Sequence, residues 1–316
     1  MRYILMVLIF TTMLFGAKIQ KATQEYIANG NVTDMIVRNG LLYASTDASC
    51  VDIFSLKTKK IIKKITIPKI EDFTGEVIDA KIFSVDVLDN KVLILSQGLK
   101  GYNRVYIYEK NQLSLLISDS DELAVLKAKF LDKDKILLAL ISDEIISYDI
   151  KNKTILYRAK ASASTFSDFD LNEDKSRVVV ADESGDLQLL KTKDGSHVKS
   201  FTNKNLDNVF QVDYKKGVIV TAGKDRRAVV YDTNLNSAYY KKSNFFIYSV
   251  GLSPSANIVA YSSDVNNNVT LFNRKTKISI GVFGGNRSTL SKILFLNEKE
   301  FLVSDASHKI NLYKLK

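Results

Sequence analysis

The side chains that most often perform catalysis or bind metals are sparse in this 316-residue sequence. Its two histidines, His197 and His308, have no Cys, Asp or Glu at the spacings typical of zinc sites. The lone Cys50 cannot form a disulfide within the chain, and a CxxCH sequence for haem attachment is absent. A glycine-rich phosphate loop is also absent, since Gly284-Gly285 has only the character of a turn. We therefore expect no catalytic residues, no metal and no cofactor, and we predict that the protein is not an enzyme.

Two short polar segments are the best candidates for a binding site. The first is Tyr102-Asn103-Arg104 and the second is Lys224-Asp225-Arg226-Arg227. Arginine and tyrosine are enriched in protein interfaces, and a guanidinium group can hold an acidic group with paired hydrogen bonds. The residues predicted to bind a protein partner are Tyr102, Arg104, Lys224, Asp225, Arg226 and Arg227. The alternative is that both segments are ordinary solvated turns.

The elements that position these segments follow from an internal repeat. Seven four-residue strands end in an aromatic or leucine residue. The last residues of these anchor strands are Phe54, Tyr108, Tyr148, Leu190, Tyr231, Phe272 and Tyr313. The first interval is 54 residues, and the later intervals are 40 to 42 residues. Four-stranded repeats of about 40–45 residues are typical of propeller blades, so the sequence predicts an all-β fold, a seven-bladed β-propeller.

Each copy of the repeat has the same internal order. A continuous apolar run precedes each anchor strand, as expected for a strand that neighbouring blades cover on both faces. The turn between the two strands carries aspartate in six copies, at Asp47, Asp143, Asp182, Asp225, Asp264 and Asp305. We expect these carboxylates to stabilise tight turns by accepting main-chain hydrogen bonds. The extra residues of the first interval lie in 67–76 and 98–104, which we expect to form loops on one face.

The two ends of the chain indicate how the ring closes. The last copy ends after its third strand, and residues 19–29 precede the first copy without belonging to a complete blade. We expect residues 19–29 to supply the fourth strand of the last blade, because this pairing removes the open sheet edges.

The first 17 residues have the layout of a secretory signal peptide. Met1-Arg2 is positively charged, residues 3–15 are apolar, and the small Gly16-Ala17 follows. A membrane-spanning helix needs about 20 apolar residues, so this run is short for a span, although a retained N-terminal anchor is the alternative. We predict a signal peptide at residues 1–17, a single propeller domain at residues 18–316, and no integral membrane segment after signal removal.

Charge and cysteine content narrow the class of partner. A net charge of +10 would ordinarily suggest nucleic acid as a partner, but export argues against nucleic acid. An exported chain with one cysteine fits the bacterial periplasm better than a disulfide-rich extracellular setting. We therefore predict a monomeric periplasmic protein whose partners are other periplasmic proteins.

The charged turns fall on two opposite faces of the expected propeller. The turns after the anchor strands carry Lys57, Lys59, Lys60, Lys151, Lys153, Lys191, Lys193, Arg274, Lys275 and Lys277. We expect this basic face to speed the approach of acidic partners. The opposite face carries Tyr102, Arg104, Arg226 and Arg227, and we expect it to make the specific contacts.

Five aspartates keep an enzymatic alternative open. Asp34, Asp86, Asp168, Asp170 and Asp213 lie in the segments that we assign to the innermost strands. There they would approach the central channel, where a hydrolase of the lactonase type holds a metal. No histidine accompanies them, so we prefer a binding function. A structural partner in outer-membrane assembly is a further alternative.

Two segments carry a family resemblance. Residues 225–232 (DRRAVVYD) and 182–190 (DESGDLQLL) resemble degenerate third-strand motifs of WD40-like and YVTN-like propellers, with Tyr231-Asp232 in place of Trp-Asp. The Gly-His dipeptide of that family is missing, so the match is to the architecture. Among exported propellers without cofactor motifs, the chain resembles the NapL accessory proteins of bacterial periplasmic nitrate reductase systems. That resemblance implies a protein that supports assembly or electron supply of this molybdoenzyme, with nitrate reductase components as partners.

Overall fold

The computed structural model describes residues 18–315, which contain 31 β-strands and one 3₁₀ helix at Asp119–Asp121. Seven sheets form the blades of a seven-bladed β-propeller, which confirms the fold predicted from the repeat. The signal peptide predicted at residues 1–17 lies outside the described residues.

The strands follow the chain blade by blade. The N-terminal segment contains β1 (Ile19–Lys21) and β2 (Gln24–Ile27). Blade 1 contains β3 (Val32–Arg38), β4 (Leu41–Thr46), β5 (Cys50–Ser55) and β6 (Ile61–Thr66), and a small hairpin of β7 (Ile70–Glu71) and β8 (Val77–Ile78) follows it. Blade 2 contains β9 (Ile82–Leu88), β10 (Lys91–Gln97), β11 (Asn103–Glu109) and β12 (Gln112–Ile117). Blade 3 contains β13 (Val125–Phe130), β14 (Lys135–Leu140), β15 (Glu144–Asp149) and β16 (Thr154–Lys160). Blade 4 contains β17 (Phe166–Leu171), β18 (Arg177–Asp182), β19 (Leu187–Lys191) and β20 (His197–Phe201). Blade 5 contains β21 (Val209–Lys215), β22 (Val218–Gly223), β23 (Arg227–Asp232) and β24 (Ser237–Lys242). Blade 6 contains β25 (Val250–Leu252), β26 (Ile258–Ser262), β27 (Val269–Asn273) and β28 (Ser279–Gly284). Blade 7 contains β29 (Leu290–Phe295), β30 (Glu300–Asp305) and β31 (Lys309–Lys314).

The blades pack through apolar side chains that the repeat places at equivalent positions. In each blade the first strand is innermost, and the strands pair antiparallel in chain order. The second strands are almost wholly buried; in β14, for example, every residue after Lys135 is buried. Seven apolar clusters fill the seven spaces between neighbouring blades, including the space between blade 7 and blade 1. Burial of both strand faces explains why these segments are continuous apolar runs rather than alternating ones.

The N-terminal segment closes the ring, but it contacts two blades rather than one. Strand β2 pairs antiparallel with β31 and completes blade 7, as predicted. Strand β1 instead pairs parallel with β28 and becomes a fifth strand of blade 6. Two glycines of β28 make room for it: a Cβ atom at Gly281 would lie 2.7 Å from the Gln20 amide, and one at Gly284 would lie 2.7 Å from Ile19 Cγ2. The outer edge of blade 6 is thus covered as well.

The turns divide between two faces of the ring. What we call the lysine face holds the turns from first to second and from third to fourth strands, including residues 56–60, 150–153, 192–196 and 274–278. What we call the connector face holds the turns from second to third strands, at residues 47–49, 98–102, 141–143, 183–186, 224–226, 263–268 and 306–308. It also holds the links that lead into the next blade, at residues 28–31, 67–81, 118–124, 161–165, 202–208, 243–249 and 285–289. The extra residues of the first interval therefore lie on the connector face, where residues 67–81 include the β7–β8 hairpin.

Five of the six turn aspartates have the structural role expected of them. Their carboxylates accept hydrogen bonds from the main chain of the same turn or of the link before the blade. Asp225, for example, accepts the amide hydrogen of Leu206 at 2.8 Å. Asp143 is the exception, because its side chain is fully buried and neither carboxylate oxygen has a hydrogen-bond partner within the described residues.

Replacing Asp143 is expected to stabilise the protein at neutral pH. Burial, which nearby Ser162 and Lys160 offset only in part and the charge of Asp182 reinforces, raises the pKa of Asp143 from 3.8 to about 6. Because the folded-state pKa lies above the unfolded one, this carboxyl favours folding below about pH 4 and loses that contribution as the pH rises through about 6. Asp143→Asn should therefore gain roughly 1–3 kcal/mol in unfolding free energy at pH 7.5. The gain should be smaller at pH 4.5, as measured by urea unfolding.

Asp305→Asn is the matched control for this prediction. The Asp305 carboxylate accepts hydrogen bonds from the main-chain amides of Arg287 and Ser288 and from the Ser307 hydroxyl. Its replacement should reduce the unfolding free energy at pH 7.5. An equal gain for Asp143→Asn at both pH values would show that the effect does not come from ionisation.

Candidate functional site

The six residues predicted to bind a partner lie on the connector face or at strand ends beside it, but on two blades. Tyr102 and Arg104 belong to blade 2, and the other four belong to blade 5. Blades 3 and 4 stand between them. The structure therefore presents two separate segments rather than one combined site.

The blade 2 segment is held rigidly by an ion pair. Arg104 Nε lies 3.0 Å from Asp119 Oδ1, and Arg104 Nη2 lies 3.0 Å from Asp119 Oδ2. Hydrogen bonding from Arg104 lowers the pKa of the Asp119 carboxyl, as expected for a bidentate pair. Arg104 thus joins the turn of blade 2 to the link into blade 3, and its charge is already neutralised.

Most of the blade 5 segment also has local partners. Asp225 accepts the amide hydrogens of Leu206 and Arg227. Arg227 donates from Nη1 to the Lys204 carbonyl at 2.9 Å, and its guanidinium lies 4.5 Å from the centre of the Tyr240 ring. Lys224 Nζ lies 3.6 Å from Asp207. Arg226 differs, because it is exposed and forms no ion pair with any residue among 18–315.

Of the two faces, the connector face exposes more large apolar side chains, which the sequence did not predict; nine others among residues 18–315 lie on strands at the outer edges of the blades. Among the described residues, its turns and links expose seven large apolar side chains: Phe73, Val77, Leu99, Ile141, Leu206, Phe246 and Val265. The turns of the lysine face expose two, Leu235 and Ile278. Phe73, at the tip of the β7–β8 hairpin, is 100% exposed. The two faces of the ring thus differ in exposed apolar side chains as well as in charge.

Four aromatic rings form a cluster at the junction of blades 5 and 6, which we call the aromatic shelf: Phe210, Phe245, Phe246 and Tyr248. Phe210 and Tyr248 stack with ring centres 5.2 Å apart. Phe245 lies 5.5 Å from Phe246 and 6.2 Å from Tyr248. All four rings are exposed or half-buried, whereas Ile247 between them is fully buried. The sequence signal for this shelf is the run Phe245-Phe246-Ile247-Tyr248 in a link rather than a strand.

The central channel is divided by polar side chains. A cavity of about 170 Å³ opens towards the connector face and one of about 240 Å³ towards the lysine face. Four side chains line both cavities: Lys127, Asp168, Gln211 and Lys292. Lys127 Nζ lies 2.5 Å from Asp168, Lys292 pairs with Asp34, and the Gln211 amide donates to the Ser291 carbonyl at 2.8 Å. The two ion pairs join neighbouring blades, 3 with 4 and 7 with 1, and the Gln211 hydrogen bond reaches from blade 5 to blade 7.

The five channel aspartates link neighbouring blades. Each accepts an amide hydrogen from the innermost strand of the next blade. The pairs are Asp34 with Val85, Asp86 with Phe130, Asp168 with Val212, Asp170 with Tyr214, and Asp213 with Leu252. Burial alone would raise the pKa of Asp34, but Lys292, Lys129 and Lys127 lower it to about 2. No group of three or more His, Cys, Asp or Glu side chains among residues 18–315 is arranged to hold a metal ion. The carboxylates that motivated the hydrolase alternative are thus engaged in hydrogen bonds between blades.

Cys50 is fully buried, and burial raises the pKa of its thiol. No helix in residues 18–315 has the length and apolar character needed to cross a bilayer.

No protein-family model matches the chain, and no curated protein matches it either.

Proposed function

We propose that the protein is a non-catalytic scaffold that binds other proteins through its connector face. The observation that carries this proposal is the unequal distribution of exposed apolar side chains, seven on the connector face against two on the lysine face. Exposed apolar groups among polar turns are the composition of a protein-binding surface. The rigid links and ion pairs of this face favour binding without a large change of shape.

The lysine face has a different role in this proposal. Its turns expose Lys57, Lys59, Lys60, Lys151, Lys153, Lys191, Lys193, Lys275 and Lys277. Arg274, which the sequence grouped with them, pairs with Asp232 at 2.6 Å and so joins the turn of blade 6 to the end of β23 in blade 5. The remaining lysines raise the rate of encounter with acidic proteins, an effect that weakens with salt.

We further propose that the scaffold works in the periplasm as an accessory factor of nitrate reductase. The support is the signal-like sequence of residues 1–17, the seven lysine-rich blades and the lack of cofactor motifs, by which the sequence resembles the NapL accessory proteins; residues 225–232 carry the broader WD40-like resemblance. Tyr231 of that motif is buried, and its hydroxyl accepts a hydrogen bond from Asn205. Asn205 in turn accepts one from Thr221, so the motif residue has a polar link to the connector face.

Apolar-to-serine substitutions on the two faces test which face binds. Phe73→Ser combined with Leu206→Ser should weaken retention of periplasmic proteins on the immobilised protein by about tenfold or more, because both side chains are exposed on the connector face. Leu235→Ser combined with Ile278→Ser is the matched control on the lysine face and should change retention little. Equal losses for both pairs would contradict the assignment of the binding face.

The finer assignment needs a named partner. Purified periplasmic nitrate reductase should bind the immobilised wild-type protein, and binding should weaken for Phe73→Ser combined with Leu206→Ser. If nitrate reductase does not bind while other periplasmic proteins are still retained, the nitrate reductase assignment is wrong and the scaffold proposal stands.

A further inference from the structure

The aromatic shelf is rigid before any partner arrives. The amide of Phe245 donates to Ser243 Oγ at 3.0 Å, and the amide of Tyr248 donates to Ser262 Oγ at 2.8 Å. The amide of Ile247, whose side chain is buried, donates to the Gly223 carbonyl at 3.2 Å. Because the main chain is fixed at these points, this segment loses little conformational entropy when the rings bind a partner.

Two cationic residues adjoin the link that carries the shelf. The amide of Ser243 donates to the Arg226 carbonyl at 2.9 Å, which places the exposed Arg226 next to the link that carries the rings. Lys242, the last residue of β24, is also exposed and precedes the same link. Neither side chain forms an ion pair with an acidic residue in the part of the chain that is described. These two charges are therefore available to a ligand.

The charge beside the shelf contrasts with the other side of the connector face. The link from blade 2 to blade 3 carries Asp119, Asp121 and Glu122, and only Asp119 among these is paired, with Arg104. The link after blade 1 carries four acidic residues against two lysines and is also net acidic: Glu71, Asp72, Glu76 and Asp79, with Lys69 and Lys81. The connector face is thus acidic around blades 2 and 3 and basic at the junction of blades 5 and 6.

We propose that the aromatic shelf, with Arg226 and Lys242, binds a short acidic segment of a partner protein that packs an aromatic or leucine side chain against the rings. This inference rests on the proposed scaffold function and specifies its partner. Stacked aromatic rings suit an apolar anchor, and the two cations suit carboxylates on either side of it.

A peptide segment fits these observations better than an anionic membrane. A membrane is flat and would meet the whole connector face, including the acidic links of blades 1 to 3, which would repel it. A narrow segment meets only blades 5 and 6. Phe210, Phe245 and Tyr248 are also half-buried, so they form a seat for a partner's side chain rather than tips that insert into lipid.

Binding of a fluorescent peptide tests the proposal. The probe is a short synthetic peptide with two phenylalanines between aspartates and glutamates, and fluorescence anisotropy is measured with the purified full chain. We expect micromolar binding that weakens as NaCl is raised from about 50 to about 300 mM. Arg226→Glu combined with Lys242→Glu, and separately Phe246→Ser, should each weaken binding about tenfold or more. Both variants change exposed side chains, so their melting curves should match the wild type.

Lys151→Glu combined with Lys153→Glu is the matched control, because it reverses the same charge on the lysine face. At the same NaCl concentration, the Kd of this variant for the peptide should lie within about twofold of the wild-type value. No binding of the acidic peptide to the wild type, equal binding to the shelf variants, or preference for a lysine-containing peptide overturns the proposal. Binding to phosphatidylglycerol vesicles without binding to the peptide also overturns it. The shelf variants are also tested for retention of periplasmic proteins. If they retain the proteins that the Phe73→Ser and Leu206→Ser double variant loses, the shelf proposal fails and the scaffold function stands.

Discussion

Deletion of residues 19–29 is expected to abolish cooperative folding. The deletion removes β2, which completes blade 7 by pairing with β31. It also removes Tyr26, which is 2% exposed and packs edge-on against Phe54 of blade 1 with ring centres 5.6 Å apart. The deleted chain would leave β31 as an open edge and expose the apolar space between blades 7 and 1. Thermal melting followed by circular dichroism should show no cooperative transition.

A shorter deletion serves as the control. Removal of residues 19–21 alone takes away β1, which pairs with the outer edge of blade 6 over three residues and leaves the closure of blade 7 intact. This variant should still unfold cooperatively, with a modest loss of Tm. If the longer deletion melts like the wild type, β2 does not hold the ring closed and our account of closure is wrong.

Truncation of an anchor aromatic is expected to have the second largest effect. Phe272 is 1% exposed, lies 5.9 Å from Tyr261 and belongs to the apolar cluster between blades 5 and 6. Tyr231 is equally enclosed, between blades 4 and 5. Phe272→Ala or Tyr231→Ala should each lower the unfolding free energy by about 3–5 kcal/mol, because each creates a cavity between blades. Urea unfolding monitored by circular dichroism measures this loss.

Leu235→Ala provides the comparison, since Leu235 is 74% exposed on the lysine face. It should change the unfolding free energy by no more than about 0.5 kcal/mol. Losses below about 1 kcal/mol for both anchor variants would mean that these rings do not contribute to the packing of the blades.

The blades could be predicted because the residues that bury them recur at a nearly constant interval. Phe54, Tyr231 and Phe272 are each the penultimate residue of a third strand and fill the space beside a neighbouring blade. Strand β1 could not be predicted, because three residues in a parallel pair leave no periodic pattern. Its position depends on Gly281 and Gly284 of a distant strand, which only the folded chain brings near.

The candidate site could be predicted only in part. Arg226 was identified as a charged residue in a turn, and the structure leaves it exposed. Arg104 looked equivalent, but Asp119 neutralises it from an irregular link whose position no repeat specifies. The rings at Phe245 and Phe246 precede an innermost strand, where apolar residues ordinarily enter the core. Only the fold shows that Ile247 points inwards while its neighbours face outwards.

The closing strand also determines when the molecule can finish folding. Thr23 donates from Oγ1 to the carbonyl of Leu312, so the earliest described part of the chain bonds to nearly the last. During synthesis, β2 has no partner until β31 has been made, however many blades have already stacked. Contacts between residues so far apart in sequence form slowly, because the chain between them must first be brought together. Until then β2 and the most recently made blade both have unpaired strand edges, which can pair with other chains. We therefore expect the yield of folded protein to depend on chaperones that prevent such pairing during synthesis.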